Sequence, residues 1–373
     1  MPATLRTLLK RMTELGGSDL HLTTKSPPQV RVDGKLTALK QPTLTPNAVK
    51  RLVYSVLTDA QKHQFEERRQ LDFSFGLKGL SRFRVNAFTQ RGDVAAVMRA
   101  IPYEVLTFEK LKLPRVVAEI CRKPRGLVLV TGPTGSGKST TLAAMIDKIN
   151  NERRGHIITV EDPIEFVHSH KKCLVNQREL NSDVSSFADA LKAALREDPD
   201  VVLIGEMRDL ETISSALRIA ETGHLTFGTV HTNSAAQTVN RLIDVFPAHQ
   251  QPQVRAQLSL VLQGILCQAL LPRLRGPGRA LAMEVLVPTV AIRNLIRDDK
   301  VHQIYSSMQT GRGKSGMQTF NDSLSHLYFT KQVSAETAIQ TSPVPEELED
   351  MLRRGPTARP ARKRPAAKRP ARR

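Results

Sequence analysis

A chain of 373 residues has room for two domains, each able to bury a core. With 40% hydrophobic and 24% charged residues, it reads as an ordinary soluble globular protein rather than a fibrous or disordered one. The net charge of +19 invites an anionic partner, but ten Lys/Arg crowd into the segment from Arg353 onward, and without them 45 basic residues face 36 acidic ones, a net of +9. The most apolar stretch, "LSLVLQGILCQALL" (258–271), is shorter than the roughly 20 residues of a membrane-spanning helix. It carries Ser259, Gln263 and Gln268, so it reads as a buried helix. The start, "MPATLRTLLKRMTELGG", holds no apolar run suited to a signal peptide. Cys121, Cys173 and Cys267 are scattered without a C-x-x-C pair, so neither a disulfide framework nor a zinc ribbon is expected, and a cytoplasmic location is.

In chain order, "LRTLLKRMTEL" places Leu5, Leu8, Leu9, Met12 and Leu15 at three- and four-residue spacings, which predicts an amphipathic helix. "QVRVDGKLTAL" holds two short β-prone runs around Asp33-Gly34, a hairpin signal. "SRFRVNAF" alternates, with Phe83, Val85 and Ala87 on one strand face and Arg82, Arg84 and Asn86 on the other; the strand-like "VAAVMRAI" follows with Arg99. These elements predict a small α+β domain over 1–105. The charged stretch between Pro102 and Pro114 opens a linker, taken as 106–124. From 125 to 345, β-branched apolar runs (127–131, 157–160, 201–204, 225–230) alternate with helical stretches, which predicts a largely parallel sheet flanked by helices, an α/β fold. The composition of 346–373 predicts a basic disordered tail.

The chemistry begins at "VLVTGPTGSGKSTTLAAM" (128–145). Gly132, Gly137, Lys138 and Ser139 satisfy G-x-x-x-x-G-K-[ST] between a strand and a helix, the setting of a phosphate-binding P-loop. Glycines let backbone N–H groups turn inward, and the helix N-terminus adds positive potential. The loop Gly132, Pro133, Thr134, Gly135, Ser136, Gly137, Lys138, Ser139 and Thr140 is therefore the expected seat of ATP, with Lys138 on the β/γ-phosphates and Ser139 on Mg²⁺. "HIITVEDPIEF" puts Glu161, Asp162 and Glu165 at the end of one apolar strand, and "DPDVVLIGEMRD" puts Glu206 at the end of another, where nucleotide chemistry sits in open α/β sheets. His224 and His231 are seven apart, so on one strand they face opposite ways and cannot share a metal. His231 suits a group that senses the γ-phosphate; His224 reads equally as a structural hydrogen bonder.

These motifs carry a resemblance. The P-loop, "TVEDPIEF", "LIGEMRD" and "AETGHLTFGTVHT" follow the order of the Asp box, Walker B and His box of secretion ATPases. With "KKCLVNQRE" (171–179) and "AIRNLIRDDK" (291–300), the chain resembles the type IV pilus retraction ATPases from "GGSDLHL" to "GMQTF". The resemblance implies a PAS-like N-terminal domain before a RecA-like P-loop domain, assembled as a homohexamer. It implies that Arg82, Arg84 and Arg99 complete the nucleotide site, that Glu206 is the Walker B carboxylate and metal ligand, and that Glu165 is the Asp-box acid; either acid could polarise the attacking water. It further implies pilus retraction and twitching as the function, with an inner-membrane pilus platform protein as partner and a location at the inner membrane. A second, PilU-like ATPase is an implied partner, and a PilU-like accessory role is the alternative reading.

Two segments add to this. The stripe Ile292, Leu295 and Ile296 in "AIRNLIRDDK", with Arg293 and Arg297 on a basic face, reads from spacing as core packing or as a docking surface. Resemblance to the retraction motif favours docking. The tail suits anionic lipid or nucleic acid, or merely aids solubility. A nucleic-acid motor is disfavoured, since aromatics are 4% and Trp is absent, which leaves little for bases to stack on.

Overall fold

A computed structural model describes residues 4–32, 34–101, 105–276, 278–311 and 315–355. The chain forms two compact units. One takes the chain up to Leu127 and again Ser139–Thr229; the other takes Val128–Lys138 and the chain from Val230 on. That division falls inside the segment 125–345 rather than at its edges. Among the described residues no helix is long and apolar enough to cross a membrane.

In the first unit, Thr4 caps α1 (Leu5–Glu14) by accepting from Thr7 N–H, and the helix buries Leu5, Leu8, Leu9 and Met12. Leu15, the last of the stripe, is the C-cap and is exposed. Then follow β1 (Asp19–Leu22), β2 (Gln29–Val32), β3 (Lys35–Ala38), α2 (Pro46–Tyr54), α3 (Asp59–Arg68), β4 (Gln70–Leu77), β5 (Ser81–Gln90) and β6 (Asp93–Ile101). The strands form one antiparallel sheet in the order β3-β2-β1-β6-β5-β4. The hairpin closes with Val32 opposite Lys35 and Gly34 at φ +82°, as the Asp-Gly signal predicts; Asp33 itself lies outside the described residues. The alternation in β5 is real, with Phe83, Val85 and Ala87 fully buried against α1 and α2 residues. The expected linker instead holds two helices, α4 (Phe108–Leu111) and α5 (Arg115–Cys121). In α5 the charged Arg115 and Glu119 interrupt an apolar face, and Val116, Val117, Ile120 and Cys121 are buried. Pro102 lies outside the described residues.

Next come β7 (Gly126–Thr131), which enters the second unit at Val128, and α6 (Lys138–Glu152), which returns the chain to the first. The first unit continues with β8 (His156–Glu161), β9 (Leu174–Glu179), α7 (Phe187–Ala194), β10 (Val201–Ile204), α8 (Leu210–Glu221) and β11 (Leu225–Val230). Strands β11-β10-β8-β9 stand side by side, all parallel. Being covered on both faces, β10 and β11 are buried at every residue, which is why they read as unbroken apolar runs. The edge strand β9, "LVNQRE", has only two apolar residues and gave no strand signal.

In the second unit, α9 (Ala235–Asp244) and α10 (Gln251–Val261) precede β12 (Leu262–Pro272), β13 (Arg279–Leu286), α11 (Val290–Arg297), α12 (Ile304–Gly311), α13 (Phe320–Phe329), α14 (Ala335–Thr341) and α15 (Pro345–Arg354). The buried helix expected over 258–271 is mostly strand: β12 pairs antiparallel with β13 from Ile265 opposite Leu286 to Pro272 opposite Arg279. A continuous apolar run suits either element, and here the long β13 partner decides. The pair neighbours β7 in the order β13-β12-β7. Pro345–Arg354, grouped by composition largely with the tail, folds as α15. It buries Leu348, and Glu347 accepts from Tyr305, from Gln309 Nε2 at 2.7 Å and from Asn321 Nδ2 at 3.1 Å. The tail from Pro356 on lies outside the described residues. All three cysteines are free and buried.

Candidate active site

Six buried residues of β7 deliver the chain to Gly132, whose φ of +140° is open only to glycine. A Cβ there would stand 2.3 Å from the Gln268 carbonyl oxygen of β12 and 2.6 Å from Ser136 Oγ. Gly135 and Gly137 take φ of +79° and +88°, turning the loop back on itself. From β12, Gln268 Nε2 donates to Ser136 O at 2.8 Å, and from β13, Arg279 Nη1 donates to Gly135 O at 3.3 Å. Lys138 is buried, and its Nζ donates to Gly132 O at 2.9 Å and Pro133 O at 3.2 Å. A lysine ammonium folded over a tight glycine turn, at the head of the fifteen-residue α6, has the shape and charge for phosphate oxygens. Ser139 and Thr140 follow it in the first turn of α6. Gln268 counted in the sequence only as a polar interruption; its role depends on β12 lying against the loop.

The sequence-predicted acids gather at the C-terminal ends of β8 and β10. Glu161 closes β8, accepting from Thr159 Oγ1 at 2.7 Å, Gln177 Nε2 at 3.3 Å and Glu165 N–H at 3.4 Å. Burial pushes its carboxyl up to about 7, against the downward pull of those hydrogen bonds. Glu165 is exposed. Glu206 follows β10 with Oε1 2.5 Å from Arg208 Nε. Gly205 lets the two strand tips approach, since a Cβ there would be 3.0 Å from Glu161 Cα. Thr229 Oγ1 of β11 donates to Gly205 O at 2.6 Å and fixes the β10 tip. His231 comes just after β11 and is exposed, whereas His224 comes just before it. The His224 ring Nδ1 lies 3.0 Å from Ile219 O at the end of α8, a helix-terminal contact. Among the described residues no group of three or more His, Cys, Asp or Glu is placed to hold a metal ion by itself. Mg²⁺ needs no such cage when a hydroxyl, a carboxylate and substrate phosphates share it.

The three arginines differ in surroundings. Arg82 Nη2 lies 2.6 Å from Ser74 Oγ and 3.0 Å from the buried Glu179 carboxylate. Arg99 Nε lies 2.7 Å from Asp19 Oδ1. Burial would raise the Asp19 carboxyl, but the Ser18 hydroxyl and Arg99 outweigh it and hold it below the usual range. Arg84, opposite Arg99 in the sheet, is exposed and has no side-chain partner among the described residues. Sequence reasoning passed over Asp19 and Glu179. Their signal, an acid opening "DLHL" and another closing "VNQRE", is visible only once the strands are paired.

Away from these groups, α11 buries Ile292 and Ile296 fully and leaves Leu295 half-buried. Arg293 does not belong to a free basic face. It donates to the Ser259 carbonyl, to Leu260 O at 2.8 Å and to Leu262 O at 2.8 Å, satisfying the last carbonyls of α10. Arg297 stays exposed, 3.1 Å from Asp298.

Comparison with known proteins agrees across the chain. The family described as "Type II/IV secretion system protein" matches residues 2–337. The type IV pilus retractation ATPase PilT of Pseudomonas aeruginosa is 53% identical over 91% of this chain and 98% of its own length. The type IV pilus ATPase PilU of the same organism is 41% identical over 93% and 91%. The crystal structure of the pilus retraction motor PilT with bound ADP superposes with a TM-score of 0.88 at 54% identity, covering 93% of this chain and 99% of that one. With that family match running through both compact units, the chain belongs to the type II/IV secretion system protein family.

Proposed function

We propose that this chain is a motor ATPase that hydrolyses ATP to power type IV pilus retraction and, through it, twitching motility. The observation that carries the reading is the P-loop, a glycine turn locked against β12 around the buried Lys138, in a chain 53% identical to a pilus retraction ATPase. The reaction is attack of water on the γ-phosphorus with departure of ADP, a step that rests on positioning and charge. Loop amides and Lys138 hold the β- and γ-phosphates. Ser139 and Glu206 hold Mg²⁺, which when bound neutralises charge on the phosphate oxygens. Glu165 or Glu206 orients and deprotonates the water, Glu161 supports that strand tip, and His231 senses the γ-phosphate. Arg82, Arg84 and Arg99 complete the site in a homohexamer. The wider setting is the cytoplasmic side of the inner membrane at the pilus base, against a membrane platform protein and with a PilU-like second ATPase. An accessory PilU-like role is the second reading; the lower identity of 41% ranks it behind.

Purified protein tests the enzymatic core. Wild type should release phosphate from ATP, Lys138→Ala should lose productive nucleotide use, and Glu206→Ala should bind ATP without hydrolysing it. Near-normal hydrolysis by Glu206→Ala moves the water-activating role to Glu165, and phosphate release by Lys138→Ala at the wild-type rate refutes the site.

A further inference from the structure

Glu179 ends the edge strand β9 directly opposite Glu161 of β8, and Gln177 stands opposite Thr159. Opposite residues of parallel strands share a face, so two buried carboxylates stand side by side at adjacent strand tips. Each accepts one of two consecutive amides: Ile164 N–H meets Glu179 Oε2 at 3.2 Å, and Glu165 N–H meets Glu161 Oε2 at 3.4 Å. One rung back, Gln177 grips the rest of the same loop, its Oε1 accepting from His168 N–H at 2.7 Å and its Nε2 donating to Phe166 O at 2.8 Å. The backbone beneath the exposed Glu165 is thereby fixed by two side chains of β9 and one of β8.

Two adjacent buried acids repel unless something neutralises one of them. Here it is Glu179, whose Oε2 lies 3.0 Å from Arg82 and whose Oε1 accepts from Ser74 Oγ at 2.6 Å. Both partners belong to the antiparallel sheet, on β5 and β4, more than ninety residues away in the chain. Asp183 Oδ2 accepts the Glu179 amide at 2.8 Å, so the acid itself sits on a fixed turn. The hub therefore joins the acid-bearing loop to the arginine-bearing sheet.

We propose that Glu179 is a positioning residue for hydrolysis, clamping the Ile164–Glu165 turn with Glu161 and making the aim of Glu165 depend on Arg82 and Ser74. The proposal rests on the ATPase reading above and assigns Glu165 a direct part in the reaction. Glu179→Gln keeps the shape and removes the charge. In the full-length protein it should lower kcat ten- to a hundredfold, the usual cost of losing a group that orients a reacting residue, with KM for ATP within twofold of wild type. A merely structural ion pair would lower the residual single-turnover rate by the same factor in any background. If Glu179 acts through Glu165, the substitution should cost nothing further in a Glu165→Gln background. Should Glu179→Gln lose its melting transition, Ser74→Ala removes one donor to Glu179 and should show a smaller kcat loss with the same non-additivity. Unchanged kcat in a folded variant, an equal loss in both backgrounds, or a Glu165→Gln single variant with normal turnover overturns the proposal. A wild type without turnover refutes the ATPase reading instead.

Discussion

Gly132→Ala is the sharpest perturbation of the phosphate loop. The added Cβ would lie 2.3 Å from Gln268 O, against a closest real approach of 3.0 Å, so loop and β12 backbone must part by the difference. Gln268 is paired to Met283 in the β12–β13 ladder and bonded to Ser136 O, so neither side yields freely. Overpacking of this kind costs about 1–3 kcal/mol, and holding alanine at a glycine-only φ adds about 1–3 kcal/mol. Together, roughly 2–6 kcal/mol should be lost from the second unit. Gly135→Ala is the control: its Cβ meets nothing within 4 Å, and only the left-handed strain at φ +79° remains, about 1–2 kcal/mol. Equilibrium denaturation and ATP binding should both rank wild type, then Gly135→Ala, then Gly132→Ala. Equal midpoints and equal affinities for the two variants would refute the claim that β12 shapes the loop.

The three arginines should separate by stability. Arg84→Ala should change it by no more than about 0.5 kcal/mol while cutting turnover by about 10³-fold, whereas Arg82→Ala, leaving Glu179 buried without its cation, should cost roughly 2–3 kcal/mol after allowance for the partial exposure of Arg82. Identical stability for both variants contradicts the pairing. Glu161 has a folded-state carboxyl raised to about 7 from 4.5, so wild type loses stability as pH rises through that window. Glu161→Gln should therefore gain on wild type by up to about 3 kcal/mol between pH 5 and pH 8, and denaturation curves with a pH-independent difference would exclude it. Arg297→Gln or Leu295→Val should leave ATP turnover near normal while unretracted pili accumulate; normal retraction would make that helix packing alone. Truncation after Gly355 keeps α15 and removes eight Lys/Arg, so hydrolysis should persist while binding to anionic vesicles weakens, each basic residue being worth at most about 1 kcal/mol. Vesicle binding that survives truncation refutes the tether.

What the sequence made legible was whatever local pattern decides. The three- and four-residue spacing in α1, the Asp-Gly hairpin, the alternation in β5 and the buried parallel strands all appear where expected, and the P-loop stands between strand and helix. Pairing decided the rest. The run 262–272 is strand because β13 lies beside it. The polar β9 is a strand because β8 offers its edge. Arg293 reads as a surface charge until the end of α10 is seen to need donors. The acid at Glu206 is a local signal at a strand tip; Asp19, Glu179 and Gln268 gain meaning only from partners far along the chain.

The most direct measurement deletes the gene in its source organism, restores it as wild type or Lys138→Ala, and counts surface pili while following twitching. Deletion should strand pili on the surface and stop movement, and wild type, but not Lys138→Ala, should restore both. Retraction that continues in the deletion strain, or returns with the lysine variant, would contradict the claim that ATP turnover at this P-loop drives it.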